Sequence, residues 1–151
     1  MSSQIAAIVD YTAQVAAGIE GISAVYGCGQ GSIGDPLNPG QTVQAAPDAP
    51  TGIYTHWSDM PDAPRIEWIT QGGVVQYTWD VPMRLWLPRV DLANLRRNAL
   101  PFYDRYLHAF LADHTLGGLC LIARPSKFER GSDDLWAWLD VNLEVTEEVA
   151  Y

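Results

Sequence analysis

Apolar and polar residues alternate most regularly over Val74–Leu87, VVQYTWDVPMRLWL. Val75, Tyr77, Trp79, Val81, Met83, Leu85 and Leu87 share one parity, while Gln76, Thr78, Asp80, Pro82, Arg84 and Trp86 share the other. Successive side chains of a strand point to opposite faces, so the spacing predicts one long strand with an apolar and a wetter side. Pro82 has no N–H to give to a ladder, which makes the strand an edge or a bulge at that point. Residues 135–149 alternate in the same way, with Leu135, Ala137, Leu139, Val141, Leu143 and Val145 set against Trp136, Trp138, Asp140, Asn142, Glu144 and Thr146. Matching length and pattern make these two stretches partners in one sheet.

Two other stretches repeat at helical spacing. Ile5, Ile8, Val9, Thr12, Val15, Ala16 and Ile19 form an apolar stripe that Ser2 or Ser3 can cap and that should end near Gly21. Leu92, Leu95, Ala99, Phe102, Tyr103, Tyr106, Leu107, Phe110 and Leu111 form a second, started by Asp91 and finished by His114 ahead of Gly117-Gly118. Pro101 lies inside that stripe, where it removes a hydrogen bond and should kink the helix or divide it near Leu100. Shorter strands are expected over 24–26, 52–57, 65–70 and 119–123, the last extending through 126–130, with a turn at 131–134. Gln71-Gly72-Gly73 reads as the tight turn of a hairpin between 65–70 and the long strand. The sum is α+β: an antiparallel-rich sheet of about four or five strands with two main helices on one face, in a single domain spanning 1–151. Residues 27–64 read as a long Gly/Pro-rich loop within it, one that orders on its own or on assembly.

A content of 48% hydrophobic residues, with six Trp and seven Tyr, belongs to a folded globule. Two cysteines, Cys28 and Cys120, imply no disulfide framework; they can pair or stay reduced, and reduced is favoured for cytoplasmic assembly. With no basic leader before an apolar run and no apolar stretch near about 18 residues, secretion and membrane spanning are not expected. Net charge is −9, distributed as −6, +3 and −6 over 1–64, 65–130 and 131–151. That balance argues against nucleic-acid binding through a basic stripe. It leaves two outcomes open, complementary patches for a neighbouring copy or charges that intermix on folding.

Candidate chemistry is sparse. Gly27-Cys28-Gly29-Gln30-Gly31 has neither the Lys-Ser/Thr nor the helix of a phosphate loop. His56, His108 and His114 lack metal-ligand spacing. Asp140, Glu144 and Glu148 recur every four residues on one strand face, a pattern met more often as a solvated face than as a catalytic pair. No nucleophile elbow or Cys-His signature occurs, so an enzyme, a cofactor and a metal are not expected. Trp86, Trp136 and Trp138 stand on polar parities, which requires either a second contact surface or cover from the 27–64 loop.

The layout resembles the tail terminator (tail completion, minor tail) proteins of long-tailed bacteriophages. The resemblance rests on the N-terminal amphipathic helix, on WDVPMRLWLPR over 79–89, on the Phe/Tyr-rich helix over 101–111 and on the alternating acidic strand over 136–148. It covers roughly 1–24 and 65–149; the 27–64 segment departs from the compact family pattern. The resemblance implies a virion protein of the tail and neck, assembled in the host cytoplasm. In that role a homohexameric ring caps the tail tube, stops its polymerisation and joins it to the head connector. Partners would be the chain itself, tail tube protein and a head-closure protein. Genome DNA would pass without specific binding, and no membrane is involved. The channel-lining candidates are then Asp140, Glu144 and Glu148. Interface candidates are Trp86, Trp136, Trp138, Arg84, Arg89, Arg96 and Arg97. Alternatives are another neck or head-closure component, and a small-molecule-binding or enzymatic α+β domain with a pocket near His56 and Trp57.

Overall fold

A computed structural model describes residues 3–26, 54–70, 72–87, 92–132 and 137–150. In chain order the elements are α1 (Ile5–Ala17), β1 (Ile22–Tyr26), β2 (Tyr54–Ser58), β3 (Arg65–Thr70), β4 (Val74–Leu87), α2 (Leu92–Ala112), β5 (Ile122–Ser132) and β6 (Ala137–Ala150). They make an α+β fold with two helices and a mixed, mostly antiparallel sheet of six strands, one or two more than expected. Its order is β1-β2-β4-β6-β5, with β3 beside the first half of β4. Of the turn expected at 131–134, Gly131 and Ser132 belong instead to β5, and 133–134, together with Trp136 and Arg89, lie outside the described residues. So does most of the 27–64 segment.

The sheet is organised by β4 and β6, which pair antiparallel from Val74↔Ala150 to Leu87↔Ala137 without a break. Register explains the tolerance of Pro82. On its other side β4 is shared, with β3 beside 74–78 and β2 beside 83–86. Pro82 sits in the gap between them, where the Asp59 N–H donates to its carbonyl at 3.0 Å. A residue's C=O and N–H leave a strand on the same side, so the N–H that Pro82 lacks would face this gap. The strand is locally an edge.

Seven alternate residues of β4 and β6 carry the core: Val81, Met83, Leu85, Leu139, Val141, Leu143 and Val145, each at 0–1% exposure. Against them α1 lays Ile8, Val9, Ala13 and Ala16, and α2 lays Leu95, Ala99, Phe102, Tyr106 and Phe110. These positions keep the 3.6-residue period, so each helix buries one stripe. Leu111, counted in that stripe from the sequence, is instead 56% exposed. Nor does Pro101 divide α2, which runs unbroken through it with the ring on the exposed side. Ile5 N–H donates to Ser3 Oγ at 3.1 Å, and α1 ends at Ala17, four residues before the Gly21 expected to stop it.

After α2 the chain reverses through Leu116, Gly117 and Gly118, all at positive φ (48°, 66° and 89°). Leu116 is a non-glycine in the left-handed region, a conformation that persists only when its surroundings impose it. Its fully buried side chain supplies that constraint, and Asp113 fastens the turn by accepting from Gly117 N–H at 2.9 Å and from the Tyr11 hydroxyl at 2.6 Å. These bonds to the charged form hold the Asp113 carboxyl below its ordinary range and push the Tyr11 hydroxyl up.

Candidate interaction face

Helices cover one side of the sheet. The register assigns the side chains of the opposite side to rows that cross the strands. One row is Thr55, Trp86, Trp138 and Gly131; the next is Trp57, Arg84, Asp140 and Glu129. Further along come Pro82, Asn142 and Lys127, then Asp80, Glu144 and Arg124. Four residues singled out in the sequence, Arg84, Trp86, Trp138 and Asp140, are therefore neighbours, with Glu144 two rows away. Glu148 lies at the far end of the same face. Arg96 and Arg97 do not join them; both are exposed on α2.

Arg84 organises the aromatic end. Its Nε and one terminal nitrogen donate to the two oxygens of Asp140 at 2.6 and 3.0 Å. Its guanidinium carbon lies 4.5 Å from the Trp138 ring centre and 5.1 Å from that of Trp86. The two indoles meet edge-on at 5.5 Å. A planar cation can use its edge for a carboxylate and its faces for π-systems at once, which an ammonium cannot. Gly131 makes this possible, because a Cβ there would collide with the Trp138 indole. Trp57 and Trp86 are buried, at 0% and 6% exposure, so this end of the face is covered while the charged end stays open.

The charged end is a web of ion pairs. Arg65 pairs with Asp80 and reaches Glu144 at 3.5 Å; Arg124 meets Glu144 at 3.2 Å. Asn142 donates to Asp80 at 3.0 Å and to Ser126 at 2.8 Å. The Asn142 amide first, and Arg65 after it, hold the Asp80 carboxyl below its usual range. Glu148 accepts from the Gln76 amide at 3.2 Å, and Lys127 pairs with Glu129. The three acids proposed to line a channel are thus all engaged within the chain. Charge blocks that are segregated along the sequence intermix here, since Arg65, Arg84 and Arg124 of the basic middle meet acids of the C-terminal stretch.

A second polar cluster lies inside the protein. Tyr106 on α2, His56 and Ser58 on β2, and Thr12 on α1 form a chain with contacts of 2.6, 2.8 and 2.7 Å, and Thr12 donates to the Val9 carbonyl at 2.6 Å. The one hydroxyl proton of Thr12 is spent on Val9, so Ser58 donates to Thr12, His56 Nε2 to Ser58, and Tyr106 to His56 Nδ1. Every group is satisfied with a neutral imidazole. Burial pushes His56 down to about 3 and pushes the Tyr106 hydroxyl up. The Ser–His contact resembles a nucleophile and its base, but His56, Ser58 and Thr12 are all at 0% exposure. It serves as a strut between both helices and the sheet. His56 and Trp57, near which a pocket was envisaged, leave β2 on opposite faces, and both are fully buried.

Sequence reasoning missed Arg65 and Arg124 as members of the face, and it placed Asp80 and Asn142 there without singling them out. Register adds their cross-strand neighbours, setting Asp80 opposite Glu144 and Asn142 opposite Pro82. Sequence reasoning also missed Glu147, which follows Val145 on the apolar parity and is buried at 3% exposure beside Cys120. Burial first, then Glu147 and Asp113, push the Cys120 thiol up to about 11. Among the described residues no three His, Cys, Asp or Glu side chains are placed to hold a metal ion, and no helix is long and apolar enough to cross a membrane. No protein-family model matches the sequence, and no curated protein matches it.

Proposed function

We propose that the chain is a ring-forming structural protein of a long-tailed bacteriophage neck, a tail terminator that caps the tail tube, halts its growth and joins it to the head connector. The observation that carries this reading is the β4–β6 ladder, a stiff fourteen-pair beam with helices on one side and an ordered charged and aromatic surface on the other. Such a slab works by shape. One rim matches the last ring of tube protein, and the opposite rim offers the next ring no template.

The charge web refines how DNA would pass. A wall carrying Asp80, Glu129, Asp140, Glu144 and Glu148 against Arg65, Arg84, Arg124 and Lys127 is close to neutral. Its guanidinium groups are already bound to carboxylates, so passing phosphates find few cations free to release counterions against. The genome slides past a surface that does not grip it.

The test is to polymerise purified tail tube protein with and without this chain and to view the products by electron microscopy. The expected result is tubes of limited length with a ring at one end. Tubes of unlimited length with bare ends overturn the reading.

A further inference from the structure

Two cavities lie at opposite ends of β6. At its start a cavity of about 260 Å³ is bounded by Trp138, Gly131 and Ser132, by Leu95 in the first turn of α2, and by Arg96 and Arg130. Towards its end a cavity of about 200 Å³ is bounded by Gln4, by Leu119–Leu121, and by Glu147 and Glu148. Ten residues of strand separate Ala137 from Glu147, which is roughly 34 Å.

The charges of the two cavities are opposite, and among the described residues neither set is neutralised by an ion pair. Among the described cations, Arg65, Arg84, Arg124 and Lys127 pair with carboxylates of their own chain, and Arg105 donates to the Glu20 carbonyl and lies over Phe102. Arg96 and Arg130, with Arg97 beside them on α2, form no ion pair with a described carboxylate. At the other end, Glu147 is 97% buried and its Oε1 has no hydrogen-bond donor among the described residues. A buried carboxylate oxygen without a donor is costly, and a guanidinium supplies the paired N–H groups that suit it.

We infer that the arginine-lined cavity of one copy receives the Glu147–Glu148 end of the next, so that copies of this chain join head to tail. A chain of net charge −9 repels its own copies unless basic surface meets acidic surface, and the free basic surface among the described residues is gathered at one end. The two patches differ, so the contact is heterologous and generates a ring when the rotation closes. The inference rests on the ring reading above and names its contact. It also adds Arg130 and Glu147 to the residues expected to act there.

Sedimentation of the full chain at about 20 mM and about 500 mM salt, where screening lengths differ several-fold, tests it. The wild type should associate beyond a dimer at low salt and come apart at high salt. Arg96→Glu with Arg130→Glu removes one end; Glu147→Gln with Glu148→Gln removes the other. Each double variant alone should be monomeric, its self-association weakened about 30-fold or more. An equimolar mixture should give a dimer and stop there, since one intact basic end meets one intact acidic end. Should Glu147→Gln disturb folding by circular dichroism, Glu148→Arg alone replaces it. A wild type that stays monomeric at both salts, variants that associate as the wild type does, or a mixture that stays monomeric or passes beyond a dimer each overturn the inference. Rings on tube ends that persist in the variants retire the inference alone; head-to-tail association without tube capping retires the terminator reading alone.

Discussion

The Tyr106 hydroxyl donates to Nδ1 of His56 across 2.6 Å, in a part of the protein that water does not reach. It joins the middle of α2 to β2. Tyr106→Phe keeps the ring but leaves Nδ1 without a donor, and the desolvation of that nitrogen is no longer repaid. The expected loss is about 1–3 kcal/mol, read as a lower urea midpoint at neutral pH with an unchanged slope. An unchanged midpoint would mean that the bond contributes nothing.

The same imidazole makes stability depend on acidity. His56 is pushed from its ordinary 6.5 to about 3 in the folded chain. Unfolded protein therefore binds a proton between those values that folded protein refuses. Stability is full above about pH 6.5 and falls by about 1.4 kcal/mol per unit as pH drops towards 3. Urea unfolding at a series of pH values above the carboxylate range should give this slope, and His56→Gln should flatten it. A wild-type slope that survives the substitution sinks the assignment.

Arg84→Lys preserves the charge on the helix-free face and removes the planar fork. The ammonium cannot bind both oxygens of Asp140 while lying over two indoles. The expected cost is about 1–2 kcal/mol, with a changed near-ultraviolet signal as Trp86 and Trp138 lose their ordered neighbour. Equal stability and an identical spectrum would show that only the charge matters there.

Pro101→Ala should stabilise the protein. The proline sits in the interior of α2 on its exposed side, where it denies the Arg97 carbonyl a donor and crowds the preceding turn. Alanine restores the bond; part of the gain is offset by the extra freedom of the unfolded chain, leaving about 1–2 kcal/mol. Thermal unfolding checks the sign. A lower midpoint would mean that the local geometry of α2 at this point is needed elsewhere.

Patterns that depend on a single period were legible in advance. The limits of β4, its partnership with β6 and the buried stripes of both helices follow from alternation or from three-four spacing, which burial on one side imposes residue by residue. What stayed hidden depends on crossings. Pro101 breaks the local rule and α2 survives it, because Phe102, Tyr106 and Phe110 beyond it are anchored in the core. The strut from Tyr106 through His56 and Ser58 to Thr12 joins residues almost a hundred positions apart, so no spacing could announce it. Asp140 and Glu144 read as bare acids because their partners, Arg84, Arg65 and Arg124, reach them only through pairing in the sheet.

The β4–β6 ladder also dictates the order of events during synthesis. β4 gains β3 almost at once through a two-glycine turn, but the strand on its other side is β6, made only after α2 and β5. At about 5–20 residues per second, several seconds pass in which the long apolar strand β4 has one open flank. Closing so distant a pair is also slow, because the loop entropy must be met before any rung forms. Nascent chains are therefore most exposed to sticking to one another before β6 is made, and slower translation of the stretch from α2 to β6 should lower the yield of folded protein.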